Sequence, residues 1–335
     1  MAKQINFTPS VYEHAAALIG KTPLQVSRNP DLLYRAHAEA FRLYGHAPVV
    51  IGIDIYNLEA EAYGAAVGSP KDNGIPAICA HPLSGTAEIR CLKPLDPKKD
   101  GRIPMIIETG KRLASAFPEA DVRIPLSGPF SLASNLVGFS GLLSDILDAP
   151  SSVEEALFYL ARGQIAFCRE VVAQGLDIAF FESGATPPLI SPEMFAQIEL
   201  PVLKLIINET SSITGRPVPC IIGGNTVPIL DSMLDTGTGY IICPCETDQE
   251  LFMMKMRAYP EIMVRINMVS SSFASRDLAS VYRELDRVLT LAANRDKVCI
   301  GTGALPFEAD PGIVLKAKAF VQERNASATT ESNAT

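Results

Sequence analysis

Seven short apolar runs that alternate with amphipathic helical segments predict an α/β protein built as a single (β/α)8 TIM barrel. The runs are apolar throughout rather than at every second residue, as expected for parallel strands buried on both faces. One unbroken series of strand-then-helix units favours a closed barrel over an open doubly wound sheet. No glycine-rich nucleotide-binding loop follows the first strand, which further weighs against the open sheet. The predicted strands cover 48–55, 122–128, 176–183, 218–224, 239–246, 262–268 and 297–303.

The two ends of the chain do not show this alternation. Residues 1–47 are predicted to form an N-terminal helical segment that packs on the barrel, which is expected to span 48–323. One helix start is well marked, because Asn29 is a good N-cap residue and Pro30 follows at the first helical position. Residues 324–335 are small, polar and without periodicity, and they predict a disordered tail.

Composition excludes several classes of function. The chain has 335 residues, of which 47% are apolar, and this is enough for one large core. A net charge of −8 with scattered basic residues argues against nucleic-acid binding. The N-terminus lacks the pattern of a secretory signal, and no apolar run reaches the roughly 18–20 residues of a membrane helix. Seven irregularly spaced cysteines do not form a disulfide framework, so we expect a cytoplasmic protein that contacts no membrane and keeps reduced thiols.

Reactive side chains lie on three consecutive predicted strands, near the strand ends where the chemistry of a (β/α)8 barrel gathers. Glu182 comes from the first of these strands, Cys220 from the second and Cys245 from the third. The intervals suit one βα unit each, so the three side chains could converge. A carboxylate and two thiolates would make a zinc site with an open fourth position, which is typical of catalytic zinc. Spacing alone also allows both cysteines to be packing residues, because free cysteine is among the most buried residue types.

Two other cysteines and a proton-transfer role compete with this assignment. Cys299, in the last predicted strand, is an alternative zinc ligand. Cys243 follows an apolar run and precedes a proline, and we expect it to shape the strand end. Glu182 could act as a proton donor instead of a ligand if burial raises its pKa.

Further candidates concern the substrate. Asn225 and Asn267 are candidate catalytic residues that could hydrogen-bond substrate oxygens, although asparagine also caps turns and helices. His81, Phe130 and Phe181 are candidates for the wall of the substrate pocket.

Four segments, in the same order along the chain, resemble the uroporphyrinogen decarboxylase superfamily. The resemblance covers about residues 45–320. It implies a single (β/α)8 barrel and the homodimer that is common among members. The segments are DPKKDGRIP (96–104), GPFSLASNLVGFSGLLSDILDAP (128–150), LISPEMFAQIELPVLKLI (189–206) and IIGGNTVPILDSMLDTG (221–237).

The decarboxylase branch of the superfamily uses an N-terminal arginine-rich segment to clamp the carboxylates of its substrate. The corresponding stretch here, 47–64, has no arginine and carries Asp54, Glu59 and Glu61. Arginine is the natural receptor for a carboxylate, and these three acidic residues would repel a tetrapyrrole with many carboxylates. Decarboxylation of uroporphyrinogen is therefore not expected.

The other branch comprises corrinoid-dependent methyltransferases, in which zinc activates one partner of the methyl transfer. Members that methylate a thiol such as coenzyme M carry His-x-Cys on the fifth strand and a cysteine near the last one. The matching positions here read Val218-Pro219-Cys220 and Thr302-Gly303-Ala304, so two of those three ligands are missing. A carboxylate with two cysteines is similar to the ligand set of the O-demethylase methyltransferases of methoxylated aromatic compounds.

The resemblance thus implies an enzyme that moves a methyl group from a methoxylated aromatic compound to the cobalt(I) of a corrinoid. Zn²⁺ held by Glu182, Cys220 and Cys245 would polarise the ether oxygen. The chain has no Asp-x-His-x-x-Gly corrinoid-binding signature, so the corrinoid is expected on a separate protein. A methyl-corrinoid:thiol methyltransferase and a non-catalytic ligand-binding barrel are the alternatives.

Overall fold

Eight parallel strands and one antiparallel hairpin make up the sheet structure of the computed structural model. The structure describes residues 4–71, 73–275 and 277–333, with side chains through residue 327. The strands are β1 (Asn6–Ser10), β2 (Val49–Val50), β3 (Ala66–Gly68), β4 (Ala77–Ala80), β5 (Val122–Ser127), β6 (Asp177–Phe181), β7 (Cys220–Ile221), β8 (Tyr240–Cys243), β9 (Met263–Asn267) and β10 (Val298–Ala304).

The eight parallel strands close into a barrel. They pair as two four-stranded sheets in the orders β1-β10-β9-β8 and β2-β5-β6-β7, while β3 and β4 form the separate hairpin. A bridge between Pro219 and Tyr240 joins β7 to β8. At the other seam, Thr8 Oγ1 donates a hydrogen bond of 2.5 Å to the Ala47 carbonyl just before β2. The predicted (β/α)8 barrel is confirmed.

Helices follow the strands and cover the outside of the barrel. The described residues include α1 (Glu13–Leu18), α2 (Pro23–Ser27), α3 (Pro30–Tyr44), α4 (Leu58–Ala62), α5 (Ile103–Ala116), α6 (Pro129–Val137), α7 (Phe139–Asp148), α8 (Pro150–Ala173), α9 (Pro192–Met194), α10 (Leu200–Thr214), α11 (Leu230–Asp235), α12 (Gln249–Lys255), α13 (Leu278–Ala292) and α14 (Pro311–Asn333).

The N-terminal segment is helical as expected in α1, α2 and α3, but it also supplies a barrel strand. β1 pairs in parallel with β10, so the barrel begins at Asn6 and not at residue 48. The strand is five residues long, contains Pro9 and shifts register between Thr8 and Ser10. Proline has no N–H to donate and is rare inside strands, which is why this stretch carries no recognisable β pattern. The predicted N-cap is confirmed, because the Asn29 side chain accepts hydrogen bonds from Asp31 N and Leu32 N.

The C-terminal segment also differs from the expectation of a disordered tail. α14 continues to Asn333, and residues 334–335 lie outside the described residues. The Asn325 carboxamide accepts from Ile5 N at 3.1 Å and donates to Ile5 O at 2.8 Å. This pairing fastens the last helix to the start of β1, a long-range contact that the polar composition of the segment does not reveal.

The apolar core has two parts. The larger part fills the space between the barrel and its helices, and the smaller part lies inside the barrel. Of the helices in the described ranges, none is by itself long and apolar enough to cross a membrane. α6 and α7 reach that length and composition only when taken as a pair, and they meet at an angle of 107°. The residues of the inner core are Val50, Ile55, Ala179, Phe181, Ile221 and Ile242.

Candidate active-site pocket at the barrel mouth

A cavity of about 500 Å³ opens at the C-terminal ends of the barrel strands. A second cavity, of about 640 Å³, lies at the opposite end and is lined by ion-paired side chains such as Arg123 with Asp121. Active sites of (β/α)8 barrels lie at the C-terminal end of the strands, so the first cavity is the candidate site despite its smaller volume. We call it the mouth pocket. Its apolar lining includes Ile53, Ile55, Ile221 and Ile242, and its aromatic lining is Tyr12, Tyr56 and Phe181.

Three aromatic rings form one wall of the mouth pocket. The Phe181 ring meets those of Tyr12 and Tyr56 edge to face, with centroid distances of 6.3 and 6.1 Å. The Tyr56 hydroxyl lies 2.7 Å from Ser183 Oγ, which also accepts from Gly223 N at 3.1 Å. These bonds connect the ends of β2, β6 and β7 and fix the orientation of the wall. Such a surface binds a flat aromatic ring well.

Glu13 supplies a buried carboxyl group to the mouth pocket. It is the first residue of α1, three positions after the end of β1. Its side chain is buried, and its Oε2 atom has no hydrogen-bond partner among the described residues. Burial raises the pKa of Glu13 to about 7, and the nearby Glu308 adds to the increase. A carboxyl group that still carries its proton near neutral pH can act as a general acid.

Arg265 and Asn267 bring polar groups from β9. Both point into the barrel, since the intervening Ile266 packs in the outer core. Arg265 Nε donates to Asn267 Oδ1 at 3.1 Å, and the guanidinium lies beside the hydroxyls of Tyr12 and Tyr240. Among the sequence-predicted residues, Asn267 and Phe181 therefore lie in the mouth pocket.

The predicted zinc ligands fall on two sides of the barrel wall. Cys245 lines the mouth pocket. Glu182 and Cys220 instead point outward, into the layer between the barrel and the helices. Burial and the nearby Glu182 and Glu199 raise the pKa of the Cys220 thiol well above its usual value. Among the described residues, no three histidine, cysteine, aspartate or glutamate side chains lie close enough to hold a metal ion.

The Glu182 carboxyl is already engaged by the start of α6. It accepts hydrogen bonds from Phe130 N at 3.0 Å, from Ser131 N at 2.9 Å and from the Ser131 hydroxyl. Burial raises the pKa of Glu182 to about 7. Burial together with the adjacent Glu182 raises the pKa of Glu199 well above its usual value. Burial thus disfavours the charged form of both carboxyl groups, and Glu182 caps a helix, so the donors expected for zinc do not fit a metal site in this arrangement.

The remaining predicted cysteines lie away from the mouth pocket. Cys299 is buried inside the barrel with its Sγ 3.9 Å from the Tyr240 hydroxyl, and it lines the cavity at the opposite end. Cys243 packs outward in the larger core.

For Cys245, which lines the mouth pocket, burial first and then Glu246 raise the pKa of the thiol to about 12, so it is protonated at neutral pH.

The other predicted residues make structural contacts. Asn225 Oδ1 accepts from Thr247 Oγ1 at 3.0 Å and joins two loops. His81 is exposed, with its Nδ1 2.9 Å from the Asn135 carbonyl. Phe130 is fully buried in α6 against Phe139, with ring centroids 6.5 Å apart. The mouth pocket is lined by none of these three side chains.

Sequence reasoning assigned no role to Tyr12, Glu13, Tyr56 or Arg265. Tyr12 and Glu13 follow β1, which the sequence did not reveal as a strand. Arg265 did leave a signal, because a charged residue in the middle of an apolar strand must have either a partner or a ligand.

Comparison with known proteins decides the family. The model of the uroporphyrinogen decarboxylase (URO-D) family matches residues 5–267, which is more than half of the chain. The chain belongs to the URO-D family. This confirms the resemblance inferred from the four segments.

Two curated proteins that are similar to this URO-D family member carry the same name. Methylcobamide:CoM methyltransferase MtaA from Methanosarcina barkeri (strain Fusaro / DSM 804) is 26% identical over 221 residues, or 65% of this chain and 63% of that protein. A second MtaA from Methanosarcina barkeri is 25% identical over the same length. The chain thus spans a little less than two thirds of the curated relatives that it matches.

Solved structures support the fold. A methyltransferase from Methanosarcina mazei superposes with a TM-score of 0.80 at 19% identity, covering 96% of this chain and 94% of that one. A B12-independent methionine synthase from Shewanella sp. W3-18-1 gives a TM-score of 0.60 at 13% identity, with full coverage of both chains. At these identities the likeness concerns the fold alone.

Proposed function

We propose that this URO-D family chain is a corrinoid-dependent methyltransferase. In this proposal, a methyl group moves from a methoxylated aromatic compound in the mouth pocket to the cobalt(I) of a corrinoid carried by a separate protein. The observation that carries the proposal is the aromatic-walled mouth pocket of about 500 Å³, a suitable size for a small molecule. The similarity to MtaA, a methylcobamide:CoM methyltransferase, supports the choice of methyl transfer.

The pocket walls position the substrate. A methoxylated ring packs against Tyr12, Tyr56 and Phe181, whose edge-to-face arrangement offers both ring faces and ring edges. The isoleucines around them exclude water, which protects a cobalt(I) nucleophile from side reactions. The methyl group points towards the open side of the pocket, where the corrinoid protein docks.

Glu13 supplies the proton that the reaction needs. The cobalt(I) electron pair forms a bond to the methyl carbon, the carbon–oxygen bond breaks, and its two electrons remain on oxygen. The Glu13 carboxyl donates its proton to that oxygen, so the products are a phenol and a methyl–cobalt(III) corrinoid. An aryl ether is inert because phenolate is a poor leaving group, and protonation removes this barrier. A pKa of about 7 for Glu13 suits a general acid at neutral pH.

No step in this scheme is assigned to zinc. Two of the expected donors, Glu182 and Cys220, point away from the mouth pocket, and the Glu182 carboxyl accepts three hydrogen bonds at the start of α6.

A thiol methyltransferase is the second candidate function. It is favoured by the name of the similar MtaA proteins, which transfer a methyl group from methylcobamide to CoM. The same pocket and docking face would serve that reaction.

The test is methyl transfer to or from free cobalamin under anaerobic conditions. Purified chain is mixed with cob(I)alamin and 4-methoxybenzoate, and methylcobalamin formation is followed by absorbance. A parallel reaction contains methylcobalamin and 2-mercaptoethanesulfonate. We expect methylcobalamin to form in the first reaction. Turnover in the second reaction alone would favour the thiol methyltransferase, and no turnover in either would favour a non-catalytic barrel.

A matched pair of variants links activity to the pocket. Phe181→Leu changes the mouth pocket, whereas Phe130→Leu makes the same change in a fully buried ring outside it. Both should lower stability by roughly 1–2 kcal/mol, because a large buried ring is replaced by a smaller side chain. Only Phe181→Leu should reduce methyl transfer. Equal activities of the two variants would place the reaction elsewhere.

A further inference from the structure

Arg265 is a buried cation without an anionic partner. It is 6% exposed and lines the mouth pocket from the middle of β9. A guanidinium remains charged under all ordinary conditions. Within the described ranges no carboxylate forms an ion pair with it. Its Nε donates to Asn267 Oδ1 at 3.1 Å, and the Tyr240 hydroxyl is a second, neutral hydrogen-bond partner. The Tyr12 and Tyr240 hydroxyls beside it are neutral.

Two other buried arginines show how this chain satisfies a guanidinium elsewhere. Arg102 contacts two oxygens of Asp54, at 2.8 and 2.6 Å, and one of Glu61 at 2.5 Å. Arg295 donates to four backbone carbonyls. Both guanidinium groups therefore have several acceptors within the protein and need no ligand. Arg265 differs from them because it lines the mouth pocket and, among the described residues, its guanidinium has neither a carboxylate partner nor a set of backbone carbonyls.

The acidic groups of the pocket do not neutralise Arg265. Asp54 is held by Arg102. Glu13 and Glu246 line the pocket, but neither is an ion-pair partner of the Arg265 guanidinium, which lies among Tyr240, Tyr12 and Cys299. A buried and uncompensated charge is unfavourable, so the presence of Arg265 in the mouth pocket indicates a ligand of opposite charge.

We propose that Arg265 binds an oxyanion group, a carboxylate or a sulfonate, on the small molecule that enters the mouth pocket. The substrate class is thus an anion: a methoxylated aromatic acid for the demethylase reaction, or a sulfonated thiol for the alternative. The planar fork of the guanidinium pairs two donors with two oxygens of such a group. This inference rests on the proposed function only in naming the pocket's ligand as a substrate.

Binding measurements test the proposal without requiring turnover. Isothermal titration compares 4-methoxybenzoate with its neutral counterpart 4-methoxybenzamide, and includes 2-mercaptoethanesulfonate as a third ligand. The parent should prefer the acid over the amide by on the order of 10- to 100-fold, as charge-assisted hydrogen bonds are worth. Arg265→Gln should remove the preference, and Arg265→Lys should retain part of it. Arg123→Gln, at the opposite end of the barrel, is the matched control and should bind as the parent does.

The outcomes separate the two ligand sources and the two proposals. Arg265-dependent binding of the benzoate assigns the subsite to aromatic acids, and Arg265-dependent binding of the sulfonate alone assigns it to a sulfonated thiol. Equal affinity of the parent for acid and amide, with no affinity for the sulfonate, would overturn the inference. Anion binding without methyl transfer would leave the subsite standing and refute the proposed function. Methyl transfer from neutral ethers with no preference for acids would do the reverse.

Thermal stability provides a second readout. Without ligand, Arg265→Gln should melt at or above the temperature of the parent, because the guanidinium has no anionic partner to lose. A large decrease in melting temperature for this variant would show that Arg265 is a structural residue.

Discussion

The carboxyl group of Glu13 makes a pH-dependent prediction at the scale of one residue. Burial raises its pKa to about 7, so the acid form is present below that value and is lost above it. Methyl transfer from an aryl ether should be constant at acidic pH and fall about tenfold per pH unit well above pH 7. Glu13→Gln should remove this inflection and lower the rate by roughly 10²- to 10⁴-fold. The measurement is a pH–rate profile of methylcobalamin formation.

Glu246→Gln is the control, because Glu246 also lines the mouth pocket and its loss should leave the inflection in place. An inflection near pH 7 that persists in Glu13→Gln would assign the proton to another group. The raised pKa also has a consequence for stability. The folded state binds the proton more tightly than the unfolded chain, so the contribution of Glu13 decreases as pH rises from its usual pKa to about 7.

The neighbouring residues Phe181 and Glu182, at the end of β6, show how much of the site the sequence could predict. Glu182 was expected in the site on the basis of its position at a strand end, and the strand does end there. Side chains alternate along a strand, so Phe181 in the barrel puts Glu182 on the helix side. Both faces of this strand are buried, and the apolar run therefore carries no alternation from which the inner face could be read. The same ambiguity affects Cys220.

At the scale of an element, α6 depends on the close packing of Gly128 against Glu182. A Cβ atom at Gly128 would lie 1.9 Å from Glu182 Oε2. The carboxyl group would have to move and would lose its hydrogen bonds to the start of the helix. Gly128→Ala should therefore lower the free energy of unfolding by roughly 2–4 kcal/mol, as overpacking combined with lost charge-assisted bonds does. Chemical denaturation measures this change.

Gly141→Ala is the matched control in the next helix. Apart from the chain neighbours and backbone of α7 itself, no heavy atom of the described residues lies within 4 Å of the position that a Cβ atom would take at Gly141. The alanine should stabilise the protein by about 0.5–1 kcal/mol, because glycine is the poorer helix former. Stability of Gly128→Ala equal to that of the parent would indicate that Glu182 can leave the helix, and a metal-ligand role would have to be considered again.

Most elements were predictable because local patterns determine them. All seven apolar runs contain strands, and Asn29 with Pro30 does begin α3. β1 and the end of α14 were missed because each is stabilised by a distant segment. β1 pairs with β10, and Asn325 pairs with Ile5 across 320 residues. A segment that is stabilised by contacts with the other end of the chain need not show a periodic pattern of apolar residues in its own sequence.

At the scale of the whole molecule, two buried histidines lie in the N-terminal segment, and one of them, His37, connects it to the barrel. His37 Nε2 accepts a hydrogen bond of 3.0 Å from Gly52 N, just after β2. His46 packs against the rings of Phe41 and Tyr44, and neither of its ring nitrogens has a hydrogen-bond partner in the described part of the chain. Burial lowers the pKa of His37 to about 4 and that of His46 to about 3. Both side chains are therefore neutral in the folded state over most of the acidic range.

The lowered pKa values of His37 and His46 predict that the folded state loses stability in acid. Below the usual histidine pKa of 6.5, the unfolded chain binds protons that the folded chain does not. Stability should thus decrease as pH falls from 6.5 towards 4, by about 1.4 kcal/mol per pH unit for each histidine.

His46→Leu removes one titrating group, so this variant should lose about 2 kcal/mol less than the parent between pH 7 and pH 5. Urea denaturation at both pH values measures the difference, with His81→Gln at an exposed position as the control. If His46→Leu and the parent lost equal stability, protonation of His46 would not be coupled to unfolding, and its burial against Phe41 and Tyr44 would not be the source of acid sensitivity.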